Sequence, residues 1–150
     1  MQSVLFICTA NICRSPMAEA IFNALASDRG LDLRARSAGV RALRDEPIAP
    51  NAGAALEEIG IYLEGHRARQ VSEEMLEEAD LVLAMSPRHV AELRRVFGDS
   101  FEAHTLPNYV DSLSGDEGIA DPYGSTITAY RASVRQVFEY VELLLDRLQR

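Results

Sequence analysis

The sequence contains no lysine, so all fifteen of its lysine-plus-arginine positions are arginines. This excludes chemistry that needs a lysine amine, such as Schiff-base formation or phosphate binding by a P-loop lysine. Tryptophan is absent too, and no apolar run approaches the roughly 18 residues that a membrane-spanning helix needs. The first residues resemble a strand and lack the basic region and cleavage site of a secretion signal. We therefore expect a cytoplasmic protein that does not insert into membranes.

Positive charge is in deficit, because the net charge is −8 at pH 7. Proteins that bind nucleic acids or anionic membranes usually carry a basic face, so both functions are disfavoured. The length of 150 residues and the hydrophobic share of 47% are ordinary for one globular unit. We expect a single domain that covers residues 1–150.

Cysteine and histidine are scarce, which limits metal and redox chemistry. Cys8 and Cys13 are the two cysteines, and no His, Cys or Asp grouping has the spacing of metal ligands. A structural disulfide is disfavoured in a reducing compartment. His66 is interpreted as structural support, whereas His89 and His104 belong to no motif and are expected at surface or helix positions. Whether the cysteines form a redox pair or are a reactive residue and its neighbour stays open at this point.

Apolar strand-like runs alternate with amphipathic segments along the chain. Strands are predicted at residues 3–7, 33–38, 80–85 and 102–106. Helices are predicted from residue 15 to 28–30, at 50–59, 72–78 and 87–97, and from 125 onward, with a loop at 108–123. This alternation favours an α/β fold in which helices cover both faces of a parallel sheet. Active sites of such folds lie at the carboxyl ends of the strands.

The loop after the first predicted strand combines groups that bind and attack a phosphate. Cys8 ends the strand, and Arg14 follows after five residues, before a helix expected to have Ser15 as its N-cap and Pro16 as its first residue. Loop N–H groups, the helix dipole and the arginine fork together favour an oxyanion of phosphate size. The same positive groups favour the thiolate form of Cys8, which is the nucleophilic form.

Hydrolysis of a phosphate ester also needs a general acid, because the leaving oxygen departs poorly unless it is protonated. Asp111, Asp116 and Asp121 are candidates in the loop at 108–123. Pro122 restricts Asp121 to extended backbone, which favours a fixed position at the head of the last helix. The alternative is that Asp121 and its neighbours form only a turn before this helix.

These motifs resemble those of the low-molecular-weight protein tyrosine phosphatase family, of the bacterial type. The resemblance covers nearly the whole chain and rests on CTANICRSPMAEA at 8–20, SAGV at 37–40, GHRARQVS at 65–72, DLVLAM at 80–85 and DPYG at 121–124. It implies a three-layer α/β/α fold with a four-stranded parallel sheet and a phosphate-binding loop between strand 1 and helix 1. It also implies hydrolysis of phosphotyrosine in proteins, without a metal or an organic cofactor.

The resemblance assigns roles to individual residues. Cys8 matches the nucleophile that forms a phosphocysteine, Arg14 matches the group that binds phosphate and stabilises the transition state, and Asp121 matches the general acid that later acts as a base. Ser15 matches the hydroxyl that hydrogen-bonds the sulfur. The loop and its supports comprise Thr9, Ala10, Asn11, Ile12, Cys13, Ser15, Ser37 and His66.

Three positions depart from the family pattern. Ala10 stands where the family often has glycine, and Ser86 stands where many members have an acidic residue. Leu43 replaces an aromatic residue that usually lines the eukaryotic pocket, so Leu43 and Tyr123 are expected to form the substrate pocket. An aliphatic residue there resembles bacterial members associated with exopolysaccharide tyrosine kinases. The implied partners are phosphotyrosine proteins, among them an autophosphorylating bacterial tyrosine kinase.

Three other functions compete with this interpretation. A protein arginine phosphatase of the same family shares the nucleophile, the arginine and the acid, but usually has threonine where this loop has Ile12. An arsenate reductase on the same scaffold normally needs two further cysteines, and none follows Cys13. A non-catalytic phosphopeptide-binding module would have lost the nucleophile or the acid, and both are present.

The resemblance also implies a role for the cysteine pair. A reactive thiolate is oxidised readily to a sulfenic acid, which a nearby thiol can trap as a disulfide. A reversible Cys8–Cys13 bond would then switch activity off and protect the nucleophile from further oxidation.

Overall fold

Four parallel strands form the centre of the protein, whose structure is a computed structural model that describes residues 2–112 and 118–150. The strands are β1 (Gln2–Cys8), β2 (Leu33–Gly39), β3 (Leu81–Ala84) and β4 (His104–Thr105). Their order in the sheet is β2-β1-β3-β4, and every neighbouring pair is parallel. This confirms the predicted α/β architecture with a four-stranded parallel sheet.

Helices cover both faces of this sheet. They are α1 (Arg14–Asp28), α2 (Pro50–Glu58), α3 (Glu73–Glu78), α4 (Pro87–Phe97), α5 (Leu106–Val110) and α6 (Ile127–Leu148). Side chains of α1, α2 and α6 share one buried cluster with one face of β1, and those of α3 and α4 share a second cluster with the other face. The alternation along β1 is clear, because Val4 and Phe6 belong to the first cluster and Leu5 and Ile7 to the second.

The start of α1 differs from the prediction. The N-cap is Cys13 rather than Ser15, and Pro16 is the third helical residue rather than the first. Proline is tolerated there because the first four N–H groups of a helix have no intrahelical acceptor. The hydroxyl of Ser15 contacts Cys8 and Asn11 instead of capping the helix.

A second difference lies after β3. The predicted strand at 102–106 shortens to His104–Thr105, and α5 replaces the end of that strand and the first residues of the loop predicted at 108–123. The cause is local, since the Thr105 hydroxyl accepts a hydrogen bond from the Asn108 N–H and so caps a helical turn.

The topology places one loop at a special position. β1 is central and pairs with β2 on one side and β3 on the other, so the chain reverses direction of winding at β1. Ligands of doubly wound folds bind at this switch point, beyond the carboxyl ends of the strands. The loop at 8–14 lies there.

Within residues 2–112 and 118–150, none of the helices has the length and apolar character to cross a membrane.

Candidate active site

The backbone carbonyls of the loop at 8–14 are held from outside. Successive carbonyls accept hydrogen bonds from the segment that follows β2, at 2.8–3.1 Å. The pairs are Val40 N–H to Cys8, Arg41 N–H to Thr9, Leu43 N–H to Ala10 and Ala49 N–H to Ile12. Because the carbonyls are committed outward, the loop has a fixed shape before any ligand binds.

The backbone N–H groups of the same loop have a different status. In the described part of the chain, no N–H from residue 9 to 14 donates to a protein acceptor. Consecutive unpaired N–H groups at a helix N-terminus are a typical anion site. Gly39 allows the close approach that shapes this loop, since a Cβ at Gly39 would lie 2.4 Å from the Thr9 carbonyl oxygen. Gly39 belongs to the SAGV motif, and its type alone did not predict this role.

Asn11 is the residue that braces the loop. It is fully buried with φ of 62°, a left-handed conformation that asparagine tolerates better than most residues. Its side-chain amide donates to the hydroxyls of Ser15 and Ser37, at 2.8 and 2.9 Å. Its side-chain oxygen accepts from the Arg69 N–H at 3.0 Å, and its carbonyl accepts from His66 Nε2–H at 2.7 Å. The structure thus brings together the residues predicted to support the loop.

Ser37 extends this network into the first helix. Its hydroxyl donates to Glu19 on α1 at 2.7 Å, and its carbonyl accepts from Arg69 Nε at 3.1 Å. Glu19 and Arg69 were not identified from the sequence, although both lie inside the quoted motifs. Charged residues are usually exposed, so the sequence gives no sign that the side chains of Glu19 and Arg69 join a partly buried network.

Cys8 ends β1 with its sulfur facing this network. The residue is buried, and Sγ lies 2.8 Å from the Ser15 hydroxyl, which also accepts from Asn11. With its oxygen engaged by Asn11, the Ser15 hydroxyl has its hydrogen available for the sulfur. A donor at this position stabilises a thiolate.

Arg14 is held rigidly although it carries a full charge. The residue is buried, its Nη1 donates to the Ile119 carbonyl at 3.1 Å, and its Nη2 lies 3.5 Å from Asp121 Oδ2. A buried guanidinium with both terminal nitrogens engaged is suited to bind an oxyanion through two oxygens.

Asp121 lies at the mouth of the site, with 51% of its side chain exposed. Its Oδ1 accepts from the Tyr123 N–H at 3.1 Å, so the turn that Pro122 initiates also orients the carboxylate. Asp111 is not among the residues that line the pocket around Cys8. Asp116, the third candidate acid, lies outside the described residues.

These groups surround a pocket of about 330 Å³. Its walls combine the loop and the acid with apolar side chains: Cys8, Thr9, Ala10, Ile12, Cys13, Arg14, Arg41, Leu43, Asp121 and Tyr123. Leu43 and Tyr123, the residues predicted for the substrate pocket, both lie in this wall. Ala10 has no left-handed backbone angle, which explains why alanine is accepted where the family often has glycine.

Cys13 has a different environment from Cys8, and both are free thiols. Burial raises the pKa of the Cys13 thiol to about 11, and a contact with the Tyr130 hydroxyl at 3.5 Å opposes this only in part. Burial also raises the pKa of Tyr130. Cys13 is thus a protonated thiol at neutral pH.

His89 is a group whose place the sequence analysis missed. It lies on α4, as a helix position was expected, but it is buried and its Nε2 is 2.9 Å from the Thr9 hydroxyl. Burial, reinforced by the charges of Arg14 and Arg88, lowers the pKa of His89 from 6.5 to about 4. His104 is half-buried and pairs with Glu102 at 2.8 Å.

The donor groups of the described residues do not assemble into a metal centre. No cluster of three or more His, Cys, Asp or Glu side chains occurs in the stretches 2–112 and 118–150. The site instead presents amide and guanidinium donors, which bind anions.

Comparison with known proteins identifies the family. The model of the family described as low molecular weight phosphotyrosine protein phosphatase matches residues 3–150. The chain belongs to this family. Its members are hydrolases, in agreement with the phosphatase that the motifs predicted.

Relatives within the phosphatase family differ in their substrates. The chain is 38% identical to a protein-arginine-phosphatase of Bacillus subtilis, over 99% of this chain and 98% of the relative. It is 41% identical to the low molecular weight protein-tyrosine-phosphatase YfkJ of the same organism, over 82% of this chain and 81% of the relative. A solved structure of the YwlE arginine phosphatase, a Cys-to-Ser mutant with a phosphorylated active-site serine, superposes with a TM-score of 0.94 at 37% identity, covering 99% and 97% of the two chains.

Proposed function

We propose that this phosphatase hydrolyses phosphotyrosine in proteins through a phosphocysteine intermediate. The observation that carries the proposal is the pocket that Cys8, Arg14 and Asp121 line together, beside a loop whose N–H groups from residue 9 to 14 have no protein acceptor. This set contains a nucleophile, an oxyanion site and an acid, which are the parts that displacement at phosphorus requires.

In the first step the Cys8 thiolate attacks the phosphorus atom. A sulfur–phosphorus bond forms as the bond from phosphorus to the leaving oxygen breaks, and Asp121 gives its proton to that oxygen. The loop N–H groups and Arg14 stabilise the charge on the three equatorial oxygens.

In the second step water attacks the phosphocysteine. Asp121, now a carboxylate at the pocket mouth, takes a proton from the water as the sulfur–phosphorus bond breaks. Inorganic phosphate leaves, and the Ser15 hydroxyl stabilises the thiolate that is restored on Cys8. The cited relative with a phosphorylated active-site serine supports a covalent step at this position.

Substitution of the nucleophile and the acid tests this mechanism. Cys8→Ser is expected to abolish hydrolysis of an aryl phosphate while inorganic phosphate still binds, as measured by calorimetry. Asp121→Asn is expected to lower kcat by about 10²–10⁴-fold, the usual contribution of general acid–base catalysis. Asp146→Asn, at an exposed position paired with Arg29, is the matched control and should leave kcat unchanged. Full activity of Cys8→Ser would refute the proposal.

The apolar walls support phosphotyrosine as the substrate. Ile12, Leu43 and Tyr123 line the pocket beside the nucleophile and can make apolar contacts with an aromatic ring. Ile12 has no hydroxyl that could bind a polar leaving group. An aryl ring gains more from such walls than a cationic guanidinium does.

A phosphoarginine protein is the second candidate, and one observation favours it. A relative of nearly equal length, 38% identical, is named a protein-arginine-phosphatase. Arginine phosphatases usually carry threonine where this chain has Ile12. Turnover of matched phosphotyrosine and phosphoarginine peptides separates the two, and we expect at least tenfold higher kcat/KM for phosphotyrosine. Ile12→Thr should move this ratio toward phosphoarginine, and faster phosphoarginine hydrolysis by the parent would reverse the assignment.

The partner we propose is an autophosphorylated bacterial tyrosine kinase in the cytoplasm. Its support is the similarity to bacterial tyrosine phosphatases and the aliphatic Leu43 at the pocket wall. The expected result is release of phosphate from the autophosphorylated tyrosines of such a kinase by the parent but not by Cys8→Ser.

A further inference from the structure

His89 contacts the loop at 8–14 through Thr9 and is not among the residues that line the pocket around Cys8. It lies on α4 and retains only 3% of its accessible surface. Both ring nitrogens have hydroxyl partners: Nε2 lies 2.9 Å from Thr9 Oγ1, and Nδ1 lies 3.0 Å from Ser86 Oγ. The ring therefore bridges the loop to the first residue before α4.

Ser86 gives up an ordinary role to make this contact. It is the N-cap residue of α4, where serine usually accepts a hydrogen bond from the helix backbone. No such bond forms, because its hydroxyl faces His89. Ser86 is also the position where many family members have an acidic residue, which would hold a histidine differently.

The same serine adjoins the segment that leads to the general acid. A Cβ at Gly118 would lie 2.6 Å from Ser86 Cα, and the Ile119 N–H donates to the Met85 carbonyl at 2.7 Å. The Ile119 carbonyl in turn accepts from Arg14. Ser86 is thus at the junction of the nucleophile loop, α4 and the acid-bearing segment.

The charged groups around His89 favour a neutral ring. The positive charges of Arg14 on α1 and Arg88 on α4 oppose protonation of the His89 ring, and among the charges acting on the ring only that of Asp121 favours it. Arg41 and Glu92 line the small cavity beside the ring and carry opposite charges that pair at 3.8 Å. A neutral imidazole has one donor and one acceptor, so the chain Thr9–His89–Ser86 runs in one direction and every member is satisfied.

On the basis of the phosphatase function proposed above, we propose that His89 is a positioning residue that fixes Thr9, and through it the Cys8 nucleophile, with Ser86 as its anchor. Thr9 directly follows Cys8, and its carbonyl is already held by the Arg41 N–H at 2.9 Å. His89 holds the side chain of the same residue. With both ends fixed, the β-branched Thr9 cannot rotate and carry Cys8 away from its line of attack.

Three substitutions at position 89 separate positioning from bulk packing. His89→Leu removes both contacts, His89→Gln can reach Thr9 in place of Nε2, and His89→Asn can reach only Ser86 in place of Nδ1. With para-nitrophenyl phosphate as substrate, we expect kcat to fall about tenfold in His89→Leu and His89→Asn, with KM within about twofold. His89→Gln is expected to restore kcat to within about threefold of the parent.

A matched control is available on the same helix face. Leu93 is fully buried on α4, one helical turn after His89, and its hydrocarbon side chain cannot hydrogen-bond to Thr9. Leu93→Ala should lower the thermal midpoint by several degrees and leave kcat unchanged at temperatures where the protein is folded. The proposal is overturned if His89→Leu keeps kcat within twofold of the parent, or if asparagine rescues as well as glutamine.

A double-mutant cycle covers the case in which His89→Leu folds poorly. Thr9→Val removes the same hydrogen bond from its other end with little change in shape. We expect Thr9→Val alone to lower kcat about tenfold and the pair Thr9→Val with His89→Asn to lower it no further, because each change alone removes the same hydrogen bond. Fully multiplicative losses would overturn the proposal.

A readout without turnover separates this proposal from the phosphatase function. The rate at which iodoacetate alkylates Cys8, followed by mass spectrometry, reports the position and state of the sulfur directly. We expect alkylation to slow about tenfold in His89→Leu and to stay near the parent rate in His89→Gln. Equal rates in all variants would overturn the role of His89. Absence of hydrolysis by the parent would instead refute the phosphatase function and leave the alkylation result to decide the role of His89.

Discussion

At the scale of single residues, the two cysteines show how position decides chemistry. Cys8 faces the Ser15 hydroxyl beside a set of unpaired N–H groups, whereas Cys13 faces the Tyr130 ring hydroxyl inside the core. Burial keeps the pKa of Cys13 near 11, so this thiol reacts slowly at neutral pH. Cys8 is therefore suited to act as a nucleophile, whereas Cys13 is not.

The disulfide between them stays a prediction. Hydrogen peroxide converts the Cys8 thiolate to a sulfenic acid, and attack by the Cys13 sulfur would form the disulfide and release water. We expect Cys13→Ser to recover less activity than the parent when a reductant follows peroxide. Recovery of activity over time measures this, and equal recovery would assign Cys13 a structural role alone.

His89 makes stability depend on pH. Its pKa is about 4 in the folded chain and 6.5 when unperturbed, so between these values the unfolded chain binds more protons. The free energy of unfolding must fall as pH decreases through this window, by up to about 3 kcal/mol from this group. Arg14, Arg88 and Asp121 are the charged neighbours that act on the ring.

Denaturant unfolding at pH 7.5 and 4.5 checks this sign. We expect the parent to lose about 2 kcal/mol more than His89→Gln, in which the other groups titrate alike. His104, half-buried and paired with Glu102, is substituted by glutamine as the control and should retain the parent's loss. A parent and His89→Gln that weaken equally would contradict the assignment of a buried neutral ring.

At the scale of elements, periodicity predicted the sheet and long helices well because burial decides them. The segment at 81–85 is apolar on both faces, and the structure buries Val82, Leu83 and Ala84 between the two layers of helices. The predicted start of α1 was wrong because serine is a common N-cap residue, whereas the Ser15 hydroxyl contacts Cys8. Likewise α5 was missed because one threonine cap, Thr105, outweighs the weak signal of a short segment.

The site was predictable at positions where the residue type itself indicates a chemical role. Cys8 and Arg14 flank a loop between a strand and a helix, which suggested phosphate chemistry, and the family resemblance selected Asp121 from three loop aspartates. The structure brings all three to one pocket. The groups that were missed act by position. His89 and Gly39 support the loop only because α4 and β2 pass close behind it, which a linear sequence does not reveal.

The packing of β2 against the loop leads to a prediction about Gly39. A Cβ there would lie 2.4 Å from the Thr9 carbonyl and 3.1 Å from the Asn11 nitrogen, so the loop would have to move. Gly39→Ala is expected to lower kcat by at least tenfold and to cost about 1–3 kcal/mol of stability. Both kinetics and denaturant unfolding measure it.

Gly53 on α2 is the matched control for this substitution. A Cβ at Gly53 would meet Ile48 at 3.6 Å, an ordinary contact. Gly53→Ala should leave kcat unchanged and raise stability by about 0.4–1 kcal/mol, because alanine loses less entropy in a helix. Similar effects of the two substitutions would show that the loop tolerates displacement.

At the scale of the whole molecule, ligand binding and folding are linked through the loop. A ligand that binds only the folded chain stabilises it, by about 2.7 kcal/mol at one hundred times its Kd. Inorganic phosphate at that level should raise the thermal midpoint by roughly 5–10 °C in a chain of this size. We expect Arg14→Ala to lose this shift.

Arg131 provides the control for Arg14. It lies on α6, paired with Glu58 on α2, and it lines a separate groove between these helices. Arg131→Ala should retain the phosphate-induced shift, whatever its own stability. Loss of the shift in Arg131→Ala, or its retention in Arg14→Ala, would place the anion elsewhere.

The hydrogen bonds that hold the loop carbonyls from outside affect the energetics of catalysis. A peptide unit whose oxygen is held from outside cannot flip, so its N–H dipole keeps one direction in the free enzyme, the substrate complex and the transition state. The reorganisation energy that water dipoles would require during charge migration is therefore largely absent. Oxyanions of different shape must adapt to this loop rather than the loop to them, and the ordering of the site is completed during folding, before a substrate arrives.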